Sequence, residues 1–509
     1  MVNQRKSGAT LSYVYLILNS SISIIYTPLM LRLMGQSEYG LYVLVSSVIA
    51  YLSVLDMGFG NAIIRYTAKY RALDDKKAEY KLNGMFLGLY TVIGIVAFVI
   101  GILLCANVDK IFSNSLTVSE IETAKILMII LVINVAVSFP LSIFGAIITA
   151  YEQFVIPKIL NIVRALLQPA IMLPLLYFGY KSVAMVVVTT CLNIFILLFN
   201  MVYCFKKLKI KVIFAKIDVN LLKEIGAYSF FILLNIIVDK IYLSTDKFIL
   251  GIVSGTVTVA IYGVAMQLYD YYILFSTSIN GVFLPKITEM VVKGVDDEEI
   301  SDLFIRIGRI QFMIMALIFS GFFTVGHDFI IRWAGAEYEQ AYYIELILML
   351  PALVPLIQNT GISILQAKNI HKFRSIVYVF VAVANIFISI PLAKEFGGIG
   401  AAIGTGIATC IGQIIVMNIY YHKKAKLNIF KFWKEISTML PAVIGCIGVG
   451  VLINRLWTNS GYTGIFGKGI ICIAVYMSIL WAFCMNQYEK DLIRKPLGKV
   501  VNRIKNIRR

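Results

Sequence analysis

One apolar stretch of the sequence carries two pairs of opposite charges, Asp239 with Lys240 and Asp246 with Lys247. Equivalent charges are seven residues apart, and seven residues make nearly two turns of an α-helix, so all four side chains lie along one stripe. We call these four residues the charged stripe. Because charged groups inside a membrane usually face a cavity or a partner, the stripe is a candidate anion or proton site. The alternative interpretation is structural, with charges that neutralise each other or hold parts of the protein together.

Arg164 stands in another apolar stretch, and no acidic residue lies one helical turn away. A guanidinium presents five donors in a planar fork that suits phosphate and carboxylate groups. We therefore predict that Arg164 contacts an anionic substrate. Arg32 and Arg65 lie near the ends of apolar stretches and are weaker candidates, because a long side chain there can simply extend its charge to the membrane surface.

Three further carboxylates fall within apolar stretches: Asp56, Asp270 and Glu345. Each is a candidate for carrying a coupling proton or sodium ion, as are the two aspartates of the charged stripe. Each is equally a candidate partner for Arg164 or for the stripe. Apart from such an ion, the sequence predicts no cofactor.

The sequence contains no recognisable catalytic constellation. It has no GxxxxGK[ST] phosphate-binding loop, no HExxH and no GxSxG. Its seven cysteines form no CxxC pair, and its three histidines are far apart, so neither a disulfide framework nor a metal site is predicted. The protein is not expected to be an enzyme.

The elements that position these residues follow from composition. The chain is 59% apolar and 15% charged, whereas a soluble domain has about 25% charged residues. The apolar residues form blocks of roughly 20 or more, the length that crosses a bilayer as a helix. We predict an all-α integral membrane protein with about fourteen spans: 11–34, 39–61, 83–105, 124–149, 156–178, 183–205, 226–252, 257–284, 307–327, 341–367, 373–393, 399–421, 436–456 and 466–486.

Lysine and arginine predict the orientation of these spans. With the N-terminus placed inside, 35 basic residues fall on the cytoplasmic side and 8 on the opposite side, as expected when positive charge stays in the cytoplasm. Both ends of the chain are then cytoplasmic. The net charge of +18 therefore belongs to membrane-flanking segments and does not indicate nucleic acid. Three basic residues are assigned to neither side because they lie inside spans: Arg164, Lys240 and Lys247.

Sequence landmarks recur at an offset near 217 residues, for example Pro174 with Pro391, and Tyr39–Gly40 recurs as Tyr262–Gly263 at a larger offset. The repeating unit holds six spans, an even number, so the two units are predicted to be parallel repeats, an architecture typical of transporters that work by alternating access. The predicted organisation is an N-lobe at 1–205, a basic linker at 206–225, a C-lobe at 226–421, two further spans at 422–486 and a basic tail at 487–509.

The basic tail has two interpretations. Apolar residues alternate with lysine and arginine there, which favours an amphipathic helix lying on anionic lipid. Pro496 would interrupt such a helix, so a disordered basic tail is the alternative.

The chain resembles bacterial polysaccharide and O-antigen flippases of the multidrug/oligosaccharidyl-lipid/polysaccharide exporter superfamily. The resemblance rests on Pro28–Tyr42, Leu55–Tyr66, Asp246–Gly251, Ile261–Ala265 and Leu365–Lys372, together with the fourteen-span plan. It implies a V-shaped pair of lobes around a cationic cavity.

The resemblance further implies that an undecaprenyl-diphosphate-linked oligosaccharide moves from the inner to the outer leaflet of the bacterial plasma membrane, for surface polysaccharide such as O-antigen or capsule. Polysaccharide polymerase and glycosyltransferases are the implied partners. Two alternatives share the fold: a lipid II flippase and a cation-coupled multidrug exporter. Such an exporter would concentrate carboxylates in its cavity, so the basic residues inside the spans disfavour it. A membrane-embedded enzyme is disfavoured because no external loop is large enough for a catalytic domain.

Overall fold

The computed structural model describes residues 4–215, 219–370, 372–457, 461–492 and 494, and within them the chain is helical without a β-strand. Eleven segments of the described chain are long and apolar enough to cross a membrane. This architecture is expected for apolar segments in lipid, because a helix satisfies its own backbone hydrogen bonds where no water is present. The predicted all-α membrane fold is confirmed.

The fourteen predicted spans coincide with helical segments. The segment Lys372–Lys423 contains two of them, 373–393 and 399–421. The spans 226–252 and 257–284 fall in two further long helices, and the remaining ten overlap the other ten segments.

The chain packs as two compact units, of which the first comprises Met1–Gly263 and Ala382–Gly404. A core of aromatic and aliphatic side chains, among them Tyr66, Phe86 and Ile147, is buried within it. Its helices are α1 (Gln4–Met34), α2 (Gln36–Ala50), α3 (Phe59–Ala72), α4 (Lys76–Ala106), α5 (Val108–Phe112), α6 (Val118–Ala150), α7 (Val155–Tyr177), α8 (Ser182–Lys206), α9 (Val219–Val253) and the start of α10 (Gly255–Val292).

The second unit comprises Val264–Val381 and Thr405–Arg509. Its core gathers Phe304, Tyr421, Phe432 and their neighbours. Besides the rest of α10, its helices are α11 (Asp297–Trp333), α12 (Gln340–Ile357), α13 (Asn359–Ala367), α14 (Lys372–Thr409, shared with the first unit), α15 (Met417–Lys423), α16 (Ile429–Ser437), α17 (Leu440–Leu456) and α18 (Tyr462–Ile479). This division by packing differs from the division by sequence repeat, and the six-span lobes stay a prediction.

The second predicted span is broken in its middle. After α2 the chain makes a 3₁₀ turn at Tyr51–Asp56, and Met57 and Gly58 then adopt left-handed backbone angles before α3 begins. Gly58 has φ +73°, and an added Cβ would lie 2.5 Å from a side-chain carbon of Ile232. Both facts require glycine there. The break places Asp56 at the point where the helix direction is interrupted.

A second interruption lies inside α14, where Gly397 has φ 56° and ψ −133°. This position falls between the two predicted spans 373–393 and 399–421. The kink at Gly397 therefore explains how the single segment α14 holds parts of two spans. Some predictions lie outside the described residues: the tail beyond residue 494, His371, and the side chain of Asp239 in the charged stripe.

Candidate functional site

The charged stripe of α9 contains a buried carboxylate. The residue Asp246 is 2% exposed, and the Tyr262 hydroxyl donates to its Oδ2 at 2.6 Å. The neighbouring Thr245 is also buried, and its hydroxyl shares a hydrogen bond of 2.6 Å with that of Tyr51. Two tyrosines, from the 3₁₀ turn and from α10, thus hold this part of α9 in place. The contacts fit the structural interpretation of Asp246 and leave the anion or proton interpretation open.

The two lysines of the stripe, Lys240 and Lys247, are half-buried along the same helix. A half-buried ammonium group loses hydration, so it favours an anionic neighbour. Asp246, one residue before Lys247, supplies nearby negative charge. The described part of the stripe therefore combines one buried carboxylate with two half-buried ammonium groups.

The break in the second span positions Asp56. Its Oδ1 accepts a hydrogen bond of 2.7 Å from the hydroxyl of Tyr90 in α4. Asp56 is half-buried. The preceding residues form a 3₁₀ turn and the following two are left-handed, so the carboxylate lies at the break between two helices. Broken helices line the ion and substrate sites of many transporters.

Arg164 lies in α7 and is half-buried. Its charge acts on the hydroxyl of Tyr42 in α2, which is also hydrogen-bonded to Ser46. Among the residues that the structure describes, Arg164 forms no ion pair. A half-buried guanidinium near a tyrosine hydroxyl can bind an anionic ligand, because no carboxylate of the described residues already neutralises it.

The two weaker candidates, Arg32 and Arg65, are exposed. Arg32 lies in the last turn of α1. Arg65 lies in α3 with its guanidinium carbon 5.8 Å from the ring centroid of Tyr66. Exposure at the end of α1 agrees with an Arg32 side chain that reaches toward the membrane surface. Arg65 lies in the middle of α3.

The remaining two carboxylates belong to the second unit. Glu345 in α12 is 1% exposed, and within the described chain its Oε2 has no hydrogen-bond partner. Asp270 in α10 is exposed and close enough for its charge to act on Glu345. The structure thus brings these two predicted residues together. A buried carboxyl group lacking a donor is costly when charged, which makes Glu345 a candidate for carrying a proton.

The hydroxyl groups that accompany the predicted charges had no signal in the sequence. Tyr51, Tyr90 and Tyr262 contact Thr245, Asp56 and Asp246, respectively. A tyrosine among apolar residues does not stand out in a sequence. Only the pairing of helices shows that these hydroxyls face the predicted side chains. The described residues contain no group of three His, Cys, Asp or Glu side chains that could hold a metal ion.

The two recurring Tyr–Gly pairs lie against each other's helices. A Cβ added to Gly40 would meet the backbone of Thr256 at 1.9 Å, and one added to Gly263 would meet Val43 at 3.2 Å. Small residues allow this close approach of helices. Glu120 joins the same region, since the hydroxyls of Ser37 and Thr256 donate to its Oε1 at 2.5 and 2.7 Å. The N-terminal ends of α2, α6 and α10 therefore converge on one carboxylate.

Comparison with solved structures defines the class of protein, a multi-pass membrane transporter fold. A lipid II flippase, MurJ, in an inward closed conformation superposes with a TM-score of 0.71 at 17% identity, covering 96% of this chain and 99% of that one. An inward-facing multidrug resistance MATE family transporter of the MOP superfamily gives 0.61 at 15% identity, over 82% and 99% of the two chains. A MOP superfamily transporter from Pyrococcus furiosus gives 0.56 at 15% identity, over 86% and 96%.

The family follows from the sequence itself. Residues 6–291 match the model of the polysaccharide biosynthesis protein family, which is more than half of the chain, so the protein belongs to this family. A comparison with the sequences of curated proteins finds no match. The resemblance stated from the sequence motifs is confirmed.

Proposed function

We propose that this protein is a flippase that moves an undecaprenyl-diphosphate-linked oligosaccharide from the inner to the outer leaflet of the bacterial plasma membrane. Transport proceeds by alternating access, and the product feeds surface polysaccharide synthesis. Membership of the polysaccharide biosynthesis family and a fold shared with a lipid II flippase support the proposal.

The proposal depends mainly on one observation, the half-buried Arg164 within a membrane span. A basic side chain within a membrane span is costly and calls for a functional partner. Arg164 is half-buried, and among the described residues it has no ion pair. A diphosphate supplies the missing negative charge, and its oxygens match the geometry of a guanidinium. Lys240 and Lys247 add positive charge in α9, Arg32 adds it at the end of α1, and Arg65 adds it in α3.

The membrane potential favours the proposed direction. With the inside negative, moving one anionic charge outward gains about 2.3 kcal/mol per 100 mV. Exchange for a proton or sodium ion is a further source of energy, for which Asp56, Asp270 and Glu345 and the two aspartates of the charged stripe are the candidates.

A lipid II flippase is the second candidate function. The specific observation in its favour is the superposition on MurJ, which extends over nearly the full length of both chains. Its substrate would carry the same lipid diphosphate and differ in the sugar, so the residues discussed above would serve either. A cation-coupled multidrug exporter is disfavoured, because Arg164, Lys240 and Lys247 would repel a cationic drug.

The proposal is tested with the purified protein in vesicles that contain fluorescent undecaprenyl-diphosphate-linked sugar. The measurement is the rate at which labelled headgroups reach the opposite leaflet. Arg164→Ala should lower the rate roughly tenfold or more, since a charge-assisted hydrogen bond is worth about 1.5–3 kcal/mol. Arg164→Lys should recover part of the rate, because the charge returns without the planar fork.

The matched control is Lys181→Ala, which removes an exposed basic residue at the start of α8. It should leave the rate unchanged. If the wild-type protein moves lipid II but does not move the other lipid-linked sugar, lipid II becomes the proposed substrate. An unchanged rate for Arg164→Ala would refute the anion-binding role of this residue.

A further inference from the structure

A cavity of about 630 Å³ lies within the first unit, away from Arg164. Its walls come from the end of α4, from α5, from α9 and from residues 386–394 of α14, together with Val48 and Tyr51. The volume falls in the range of about 300–1,000 Å³ typical of ligand sites.

The cavity is lined almost entirely by hydrocarbon. Leu104, Ile111, Phe248 and Ile252 are representative of its walls. The hydroxyls of Tyr51 and Thr245, which also line it, bond to each other at 2.6 Å. Polar groups that satisfy one another make few demands on a ligand, so the interior favours an aliphatic chain.

Among the residues that the structure describes, one charged side chain lines the cavity, Lys394 of α14. It is exposed, and among the described residues it forms no ion pair. The charge distribution of the sequence predicts that Lys394 and the ends of α4 and α9 face the outside of the cell. An apolar cavity with a single ammonium group at its predicted outer end suits a ligand that has one hydrocarbon chain and an anionic head.

We propose that this cavity binds the polyprenyl chain of the carrier lipid on the outer side of the membrane, with Lys394 beside its phosphate groups. The inference rests on the proposed function, which supplies a polyprenyl diphosphate. A polyprenyl phosphate joins one chain to one anionic head and matches one cavity with one lysine. A phospholipid brings two chains and fits this arrangement less well.

The site would give the substrate a place for its chain after the headgroup has crossed. The bilayer around the chain is already apolar, so the cavity would stabilise the complex through close packing contacts and not through removal of apolar surface from water. Lys394 would add a charge attraction that is weakened by its exposure to water. Binding of the hydrocarbon chain should therefore depend strongly on the volume of the cavity. Binding of the anionic headgroup should depend only moderately on Lys394.

The test uses undecaprenyl phosphate with a diazirine in its chain, in vesicles of phosphatidylethanolamine and phosphatidylglycerol that contain the full-length protein. Illumination should label peptides from the segments that line the cavity, which are α4, α5, α9, residues 386–394 of α14, and the parts of α2, the 3₁₀ turn and α6 that carry Val48, Tyr51 and Met128. Unlabelled undecaprenyl phosphate should compete for the labelling, whereas phosphatidic acid, which has the same phosphate on two acyl chains, should not at equal concentration. Equal competition by phosphatidic acid, or labelling outside these segments, would overturn the proposal.

Two variants probe the two parts of the site. Ile252→Trp fills the cavity and should reduce labelling at least fivefold. Lys394→Gln should raise the concentration of undecaprenyl phosphate needed for competition by about threefold, and because Lys394 is exposed this variant should fold normally. Matched controls are Val99→Trp, at an exposed position of α4 outside the cavity, and Lys181→Gln. If both site variants behave like their controls, the assignment is wrong.

The same vesicles separate this inference from the proposed function. Labelling of the cavity in a protein that does not move lipid-linked sugar would reject the transport proposal and support the chain site. Transport without labelling of the cavity would reject the chain site and support transport.

Discussion

Asp56 and Asp246 in the first unit each accept a hydrogen bond from a tyrosine hydroxyl, Tyr90 and Tyr262 respectively. A carboxylate removed from water needs a donor, and a short bond from a phenol supplies one without adding a second charge. These hydroxyl groups allow carboxylates to remain inside an apolar protein. The same bonds are candidates for rearrangement during transport, because they join separate helices.

At the scale of a single residue, Tyr262→Phe should destabilise the protein. The substitution leaves the ring in place and removes the donor to Asp246, which is 2% exposed. Loss of a partner to a buried polar group costs about 1–3 kcal/mol, and more for a charged one. The measurement is the thermal unfolding midpoint in detergent. Tyr180→Phe, at an exposed position, is the control and should leave the midpoint unchanged.

A double-mutant cycle assigns this cost to the pair. If the loss of stability comes from the Tyr262–Asp246 hydrogen bond, Tyr262→Phe should destabilise the protein much less in an Asp246→Asn background. A neutral amide tolerates burial without the phenol hydroxyl better than a carboxylate does. Equal costs in the two backgrounds would show that the Tyr262 hydroxyl acts through another contact.

The sequence predicted the charged residues of the candidate site but not their neighbours. A charge among apolar residues is conspicuous at any position, as with Arg164 and Asp246. Tyr42 and Tyr262 were not conspicuous as partners, because a tyrosine hydroxyl is equally common at a membrane surface. Their roles depend on which helices pack together, and that information is absent from the periodicity of one helix.

At the scale of elements, the break between α2 and α3 depends on one backbone position. Gly58→Ala should destabilise the protein, because left-handed angles cost an L-residue roughly 1–2 kcal/mol. The new Cβ would also meet Ile232. Gly60→Ala is a matched control two residues later, inside α3, where the added Cβ would have only the Tyr90 hydroxyl nearby, at 3.9 Å.

Of the two glycine variants, only Gly58→Ala should lower the unfolding midpoint. Gly60→Ala should be neutral or stabilising, since alanine in a helix gains about 0.5–1 kcal/mol over glycine. A destabilisation of the same size in both variants would mean that the break does not require a left-handed residue. The sequence shows glycine at positions 58 and 60, and it contains no signal for the 3₁₀ turn itself.

A buried ion pair connects α11 with α16 and with the chain after α18. The Arg309 and Glu489 side chains are 4% and 1% exposed, with a bond of 2.6 Å from Nε to Oε1, and Arg309 also reaches Glu435 at 3.0 Å. Arg309→Ala should cost about 3–5 kcal/mol, because it leaves Glu489 buried and unpaired. Arg306→Ala, an exposed neighbour that lies 4.7 Å from the ring centroid of Tyr488, is the control.

The measurement for this pair is the thermal midpoint together with the rate of proteolysis in the segment after α18. Arg309→Ala should lower the midpoint and speed cleavage, whereas Arg306→Ala should change neither by much. Similar behaviour of the two variants would show that the buried pair does not hold the end of the chain. Charge counting placed Arg309 with the cytoplasmic segments and gave no sign that it would be buried.

At the scale of the whole molecule, the length of the apolar blocks in the sequence was sufficient to predict where the helices lie. A helical segment coincides with every predicted span, because the need to satisfy backbone hydrogen bonds in lipid leaves little choice. Grouping of the spans is harder to predict. Residues 382–404 pack with the first unit, although the repeat assigns them to the second lobe. Sequence repeats record the origin of segments, whereas packing depends on side chains that meet across helices.

The orientation predicted from 35 cytoplasmic and 8 external basic residues can be measured directly. In a background with all seven cysteines changed to alanine, Lys110→Cys and Lys181→Cys should react in intact cells with a maleimide that cannot cross the membrane. Lys207→Cys and Lys424→Cys should react only after the cells are permeabilised. All four lysines are exposed, so access depends on the side of the membrane. Reaction of Lys207→Cys in intact cells would reverse the orientation, and the outer position proposed for Lys394 would fail with it.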